Sequence, residues 1–197
     1  MEKYKVVKEL TLSDFEQMEE IEQYYFPKEN ITPAKEVWKW YRKNPDTCIA
    51  IINEKSQIIG SCTILPLKRN VIEGIIKNTI DEAKLTDEQI EAYEVGSSYG
   101  WYLSAISVHP AYRNQIGILK LFFKAVLQLL DKLEEQNIEI YQIMAEASTK
   151  HGENICTKLL KMHFRGDMPD GSKIYSIEKE DKTQVVQHIS QLIKERK

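Results

Sequence analysis

Ile106-Ser107-Val108-His109-Pro110-Ala111-Tyr112-Arg113-Asn114-Gln115-Ile116-Gly117-Ile118-Leu119 is the stretch that decides the fold. An extended apolar run leads into a proline-bounded turn, a polar loop and then a long amphipathic helix. A strand that feeds a helix N-terminus through a short loop forms an anion site. The first helical N–H groups lack intrahelical partners, and the helix dipole is positive there. Phosphates bind such places.

Periodicity on either side supplies the other elements. Residues 4–10 suit a strand. Ser13 with Glu16 is a capping-box pattern, and Phe15, Met18, Ile21 and Tyr25 follow at helical spacing, so a helix is expected over about 13–25. Thr32-Pro33 starts a second helix carrying Val37, Trp38 and Tyr41, which stops near Asn44-Pro45. Two strands, Thr47–Ile52 and Ile58–Leu65, form a hairpin, and Pro66 is expected to end the second.

Residues 67–98 read as a helical insertion. Val71, Ile72, Ile75, Ile76 and Ile80 are spaced for one helix, and Thr86 with Gln89 predicts a second beginning at Asp87. From Glu73 to Glu94 there are seven acidic residues and two lysines, a net of −5. A central strand follows at Tyr99–Val108, where Tyr102 and Ser104 should share a face. The helix of about 117–135 has a wide apolar stripe. A strand at Ile138–Ala147, a helix at Glu153–Met162, a strand at Lys173–Ile177 and an amphipathic helix over 183–197 complete the order. The chain reads as one mixed α/β domain spanning 1–197, of the α+β type. Its central sheet is mostly antiparallel, flanked by helices, with the insertion between strands 3 and 4.

Composition excludes several classes. The net charge of −3 gives no basic footprint for nucleic acid. No apolar run approaches the ~20 residues that cross a bilayer, and the first residues lack a signal-peptide centre. Cys48, Cys62 and Cys156 are scattered without metal-ligand spacing, so they read as reduced core thiols, no metal is expected, and the compartment reads as cytoplasmic.

The segment S-V-H-P-A-Y-R-N-Q-I-G resembles the signature V-x-P-x-Y-R-x-x-G-x-G of the GCN5-related N-acetyltransferase (GNAT) superfamily. The segment L-L-K-M-H-F at 159–164 is similar to the family's Y-E-K-L-G-F, and the element order matches across roughly residues 3–178. The resemblance implies a GNAT-like sheet. It also implies acetyl-CoA as co-substrate, bound along Ile106, Ser107 and Val108, with its pyrophosphate wrapped by Arg113, Asn114, Gln115, Ile116, Gly117 and Ile118. Two family glycines fall on Ile116 and Ile118. An isoleucine there is tolerable if the backbone is helical and poor if φ is positive. The family's thiolate-protonating tyrosine falls on Leu159.

The resemblance further implies transfer of an acetyl group to a primary amine of a small molecule or peptide, by direct attack in a ternary complex. A backbone N–H of Ile106–Val108, first of all Val108, would hold the oxyanion. Base candidates are Glu146, Tyr102, Glu94 and Ser104. His109 reads as a turn residue and His163 as a packing or surface residue, while His151 falls near the helix N-terminus after the fifth strand, within reach of cofactor phosphate or without a role. Trp38, Trp40, Tyr24 and Tyr25 edge the acceptor site or pack the core. The acidic insertion would attract a cation if it borders the acceptor cleft. The other reading is a GNAT-fold binding or regulatory protein without transferase activity, motivated by Ile116, Ile118 and Leu159. A homodimer stays open, and no nucleic-acid or membrane partner is expected.

Overall fold

The computed structural model describes residues 3–7, 9–81, 84–178, 186–187 and 189–190, and of residue 116 the backbone alone. The strands are β1 (Tyr4–Val7), β2 (Cys48–Asn53), β3 (Ile58–Leu67), β4 (Ser98–Val108), β5 (Glu139–Ala147), β6 (His163–Asp167) and β7 (Lys173–Glu178). The helices are α1 (Leu12–Glu22), α2 (Ala34–Lys43), α3 (Arg69–Ile76), α4 (Ile116–Glu135) and α5 (Lys150–Asn154). One seven-stranded sheet runs β1-β2-β3-β4-β5-β7-β6. Every pair is antiparallel except the parallel β4–β5 pair. That exception follows from the connection: α4 crosses over between β4 and β5.

Both faces are covered. Ile51, Ile59, Trp101 and Ile143 pack against Ile118, Phe122 and Leu133 of α4 and Cys156 beyond α5. On the other face α1 and α2 cover Ala50, Ile52 and Ile58. Helix α3 covers Leu65, Leu67, Tyr102, Met144 and Ile174 together with Trp40 of α2. Gly100 permits this approach, because a Cβ there would lie 2.6 Å from Ile72 Cγ1. The three cysteines are free and buried.

Several sequence expectations are corrected. Pro66 lies inside β3, opposite Trp101. The β2 partner ends at Cys48↔Thr63, so the missing N–H of Pro66 costs no ladder bond. The Thr86–Gln89 capping bonds form, with Thr86 N and Oγ1 each 2.8 Å from Gln89 Oε1. No helix follows, because Ile90 turns into the core and Glu91 N–H donates to the Pro66 carbonyl at 2.9 Å. Helix α5 starts three residues earlier than Glu153, capped by the Thr149 hydroxyl accepting from Gly152 N at 3.1 Å. Past it the chain widens, with Leu160 N–H bonded to Ile155 O at 2.8 Å, and Lys161 at φ 54° stops it. His163–Asp167 is an additional strand, unforeseen, paired to β7. Of the expected 183–197 helix, residues 186–187 and 189–190 are described and helical; the rest lies outside the described residues.

The sheet splits at one point. Thr63 faces Ala105 and Ile64 faces Leu103, which leaves Ser104 as an extra, unpaired residue. Such a bulge bends its strand and swaps its faces. The last β4–β5 pair is Leu103↔Ala145. Beyond it β4 stays on β3 through Val108↔Gly60, while β5 stays on β7 through Ala147↔Lys173. Residues 104–108 therefore border a V-shaped opening. Tyr102, before the bulge, is buried under α3, and Ser104, at the bulge, is exposed.

Candidate functional site

The opening is where backbone groups lack sheet partners. His109 N–H donates to Ile59 O at 2.9 Å, and the Ser107 carbonyl lies 2.9 Å from where a Gly60 Cβ would be. Both point at β3. Alternation then turns the amides of Ile106 and Val108 toward the opening. The Val108 carbonyl is already taken there, accepting from the Tyr25 hydroxyl at 2.5 Å. Its N–H is thus directed into the opening. Burial holds the Tyr25 phenol above its ordinary range, against the opposing pull of the Arg113 guanidinium.

The loop beyond Val108 is held by its own turns and by rings. Tyr112 N–H reaches His109 O at 2.8 Å, and Gln115 N–H reaches Tyr112 O at 2.9 Å. The His109 ring lies edge-on to Tyr24 and Tyr112, at 5.4 and 5.9 Å, and its Nδ1 accepts from Ala111 N–H at 3.2 Å. His109 is accordingly a turn and ring-packing residue. Helix α4 begins at Ile116, and Gln115 in the N-cap position makes no side-chain capping bond. The N–H groups at the start of a 20-residue helix are thus uncapped, with Arg113 exposed just before them. The loop fits an anionic pyrophosphate through its backbone.

The isoleucines do not strain it. Among the described residues positive φ occurs at Ser56, Asn78, Asn137 and Lys161 and at Gly96 and Gly171, and at no residue of 106–119. Residues 116 and 118 are helical, and Ile118 is 1% exposed in the core under α4. A Cβ at Gly117 would meet nothing within 4 Å, so that glycine leaves free space at the helix start.

The structure adds a cleft on the α1 face that sequence reading missed. Glu19, Glu22, Thr32, Ser61 and Thr63 surround a cavity of about 10 Å³, close to the smallest space that holds a water. Burial, reinforced by the Glu19 carboxylate, pushes Glu22 up to about 7. Glu19 is itself occupied, accepting from Ala34 N–H at 2.7 Å. The Ser61 hydroxyl lies 3.1 Å from the Ser107 hydroxyl, and both residues are 2% exposed. A hydroxyl pair therefore links β4 beside the opening to the Glu22 cavity. In sequence, Glu22 sits in a run of surface-looking glutamates, and nothing there marks it.

The other base candidates are placed as follows. Glu146 lies on β5 opposite Ile174 at the far arm of the opening, with the Ser172 hydroxyl donating to it. Ser172 also lies 2.7 Å from Asp170. Tyr102, on the same face of the neighbouring strand, is 2% exposed, and its hydroxyl has no partner among the described residues. Glu94 precedes the opposite end of β4, about 33 Å from Val108 at strand rise, and so is not a base for this opening. The insertion joins β3 to β4 at that same end, so its charge is centred away from Val108. Leu159 packs against the core beside Leu160. Among the described residues no group of three or more His, Cys, Asp or Glu is arranged to hold a metal, and no helix is long and apolar enough to cross a membrane.

No family model matches the sequence, and no curated protein matches it. Solved structures do match the fold. The loading GNATL domain of CurA from Lyngbya majuscula superposes with a TM-score of 0.61 at 12% identity, covering 94% of this chain and 98% of that one. Naa50 of Arabidopsis thaliana, in complex with the bisubstrate analogue CoA-Ac-MVNAL, gives 0.56 at 13% identity, covering 89% and 99%. Ard1 from Thermoplasma volcanium gives 0.56 at 14% identity, covering 88% and 95%. At these identities the likeness is one of architecture. The bulged, splayed β4 running into an uncapped α4, within a sheet that superposes on these domains, gives this chain the fold of the GNAT superfamily.

Proposed function

We infer that the chain is an acyl-CoA-dependent N-acyltransferase, with acetyl-CoA as the simplest donor and a primary amine of a small molecule or peptide as acceptor. One observation carries this reading. The amide of Val108, at a strand end released from β5, faces an opening that lies between an uncapped helix N-terminus and a carboxylate held near pH 7. Proteins of like fold solved with CoA, a CoA bisubstrate analogue or isobutyryl-CoA support it by analogy of fold.

The thioester supplies an activated carbonyl and a thiolate leaving group. The protein's part is alignment and charge. The α4 N-terminus and Arg113 hold the pyrophosphate, which fixes the donor's reach into the opening. The Val108 N–H donates to the carbonyl oxygen as negative charge develops there. The amine enters from the α1 face. Its proton leaves along Ser107 and Ser61 toward Glu22, whose raised pKa matches it to a base working near neutrality. Glu146 borders the opposite arm and Tyr102 lies at the paired base of the opening, the two remaining candidates for giving the departing thiolate a proton. Leu159 carries none.

The test is thiol release. The protein, acetyl-CoA and a panel of amines including short peptides are mixed, and free CoA is followed with a thiol reagent. Amine-dependent release supports the reading. Donor binding without release across the panel supports a CoA-binding regulatory protein instead, the reading that Leu159 in place of an acid favours.

A further inference from the structure

A cavity of about 40 Å³ lies between α4 and the sheet, on the face opposite Glu22. Leu103 and Ile106, the residues flanking the Ser104 bulge on this face, line it. It continues past the last β4–β5 pair to Ile143, beneath Val126 of α4, and Ile189 also lines it. Every lining side chain among the described residues is apolar. The one ring nitrogen among them, Trp101 Nε1, donates away to Tyr93 Oη at 2.7 Å, and burial holds the Cys62 thiol neutral, up to about 12.

Such a space does not suit a pantetheine arm, whose two amides would lose their water without gaining partners. It does not suit water either, because an apolar cavity of this kind stays dry and takes hydrocarbon. Its volume is about three times the ~10–15 Å³ that one water needs, room for a chain of roughly three or four carbons. It begins at the bulge that opens the sheet, where the proposed function places the thioester.

We propose that this cavity is an acyl-chain pocket, and that the enzyme prefers short aliphatic acyl-CoAs of four to six carbons over acetyl-CoA. The proposal rests on the acyltransferase reading. The chain passes the bulge on the Leu103–Ile106 side and lies under α4, while the thioester carbonyl stays at the Val108 amide. Each methylene placed there strengthens binding about fourfold, so butyryl-CoA binds roughly fifteenfold more tightly than acetyl-CoA. The gain levels off beyond hexanoyl, when the cavity is full.

The experiment is isothermal titration of the intact protein with CoA, acetyl-, butyryl-, hexanoyl- and dodecanoyl-CoA, and with butyrate and hexanoate as free acids. It is repeated on Val126→Phe, which fills the cavity, and on Val126→Ile, which adds one methylene and perturbs packing least. The expected result is tightening from acetyl to hexanoyl, no binding of the free acids, and loss of the chain-length gain in Val126→Phe. Val126→Ile should show about a fourfold reduction of the hexanoyl gain. Melting curves report whether each variant is folded; if Val126→Phe is not, Val126→Ile decides. Equal affinity for acetyl- and butyryl-CoA overturns the proposal. So does a chain-length gain that survives undiminished in the folded variants, which places the chain elsewhere. Free acids binding as tightly as their thioesters show a fatty-acid pocket unconnected with CoA. Failure of CoA and every thioester to bind overturns the acyltransferase reading as well, a result distinct from binding that ignores chain length.

Discussion

The Tyr25 hydroxyl and the Val108 carbonyl, 83 residues apart in sequence, are joined by a 2.5 Å hydrogen bond. This bond ties the segment after α1 to the released end of β4. It also leaves the Val108 N–H as the backbone group directed at the opening. Tyr25→Phe removes the donor and leaves a part-buried carbonyl unpaired, at a cost of about 1 kcal/mol. The expected outcome is a slightly lower Tm, with a larger fall in kcat than in donor affinity, because the β4 end that holds the oxyanion donor is loosened. Calorimetry and steady-state kinetics check both.

Glu22 as the base would make the fold and the reaction respond to pH in opposite directions. Its folded pKa is about 7, above the ordinary carboxylate value, so the fold favours the protonated form. That contribution is complete below pH 4.5, declines as the unfolded chain ionises, and is gone above about pH 7. Glu22→Gln should raise stability at pH 8 by roughly 1–3 kcal/mol and change it little at pH 4. If Glu22 is the base, the same variant loses the rise in kcat centred near pH 7. Thermal melts and a pH–rate profile separate the two effects.

The Ser61–Ser107 hydroxyl pair gives a double-variant test. Either alanine leaves one buried hydroxyl without its partner, costing about 1–3 kcal/mol. The double alanine should cost less than the two singles together. A proton path through the pair predicts that each single variant lowers kcat at least tenfold while KM for the acyl-CoA stays put. A purely structural pair predicts no such split.

The isoleucines at the start of α4 predict an absence of effect. The backbone at 116 is helical and carries no positive φ, so a glycine relieves nothing there. Ile116→Gly should leave acetyl-CoA affinity within about twofold, at some loss of helix stability. A marked rise in affinity would show that the loop is a cradle narrowed by that side chain.

Much of this architecture is legible in the sequence because periodicity reports burial directly. The α4 stripe from Ile118 to Leu133 and the apolar run of β4 are examples. What is not legible depends on a partner. The bulge at Ser104 exists only as one residue too many opposite Thr63–Ile64, and no local pattern marks it. Strand β6 is mostly exposed and lacks alternation; it is a strand because β7 lies beside it. The Thr86 capping box formed its bonds, yet tertiary packing of Ile90 overrode the helix. Glu22 gains its character from the sheet it packs against and from Glu19, not from its neighbours in the run of glutamates. The candidates Glu146 and Tyr102 were readable because a carboxylate and a phenol stand out inside apolar strands.

The central claim is that the loop from Val108 into α4 holds the donor's pyrophosphate. Its most direct test is acetyl-CoA binding to the wild type and to Arg113→Glu, by titration calorimetry with a parallel thermal melt. The account predicts one acetyl-CoA per chain, stabilisation of about 2.7 kcal/mol at a concentration 100 times Kd, and at least tenfold weaker binding in Arg113→Glu. Absence of binding and of any thermal shift at millimolar acetyl-CoA, or binding that Arg113→Glu leaves unchanged, would contradict it.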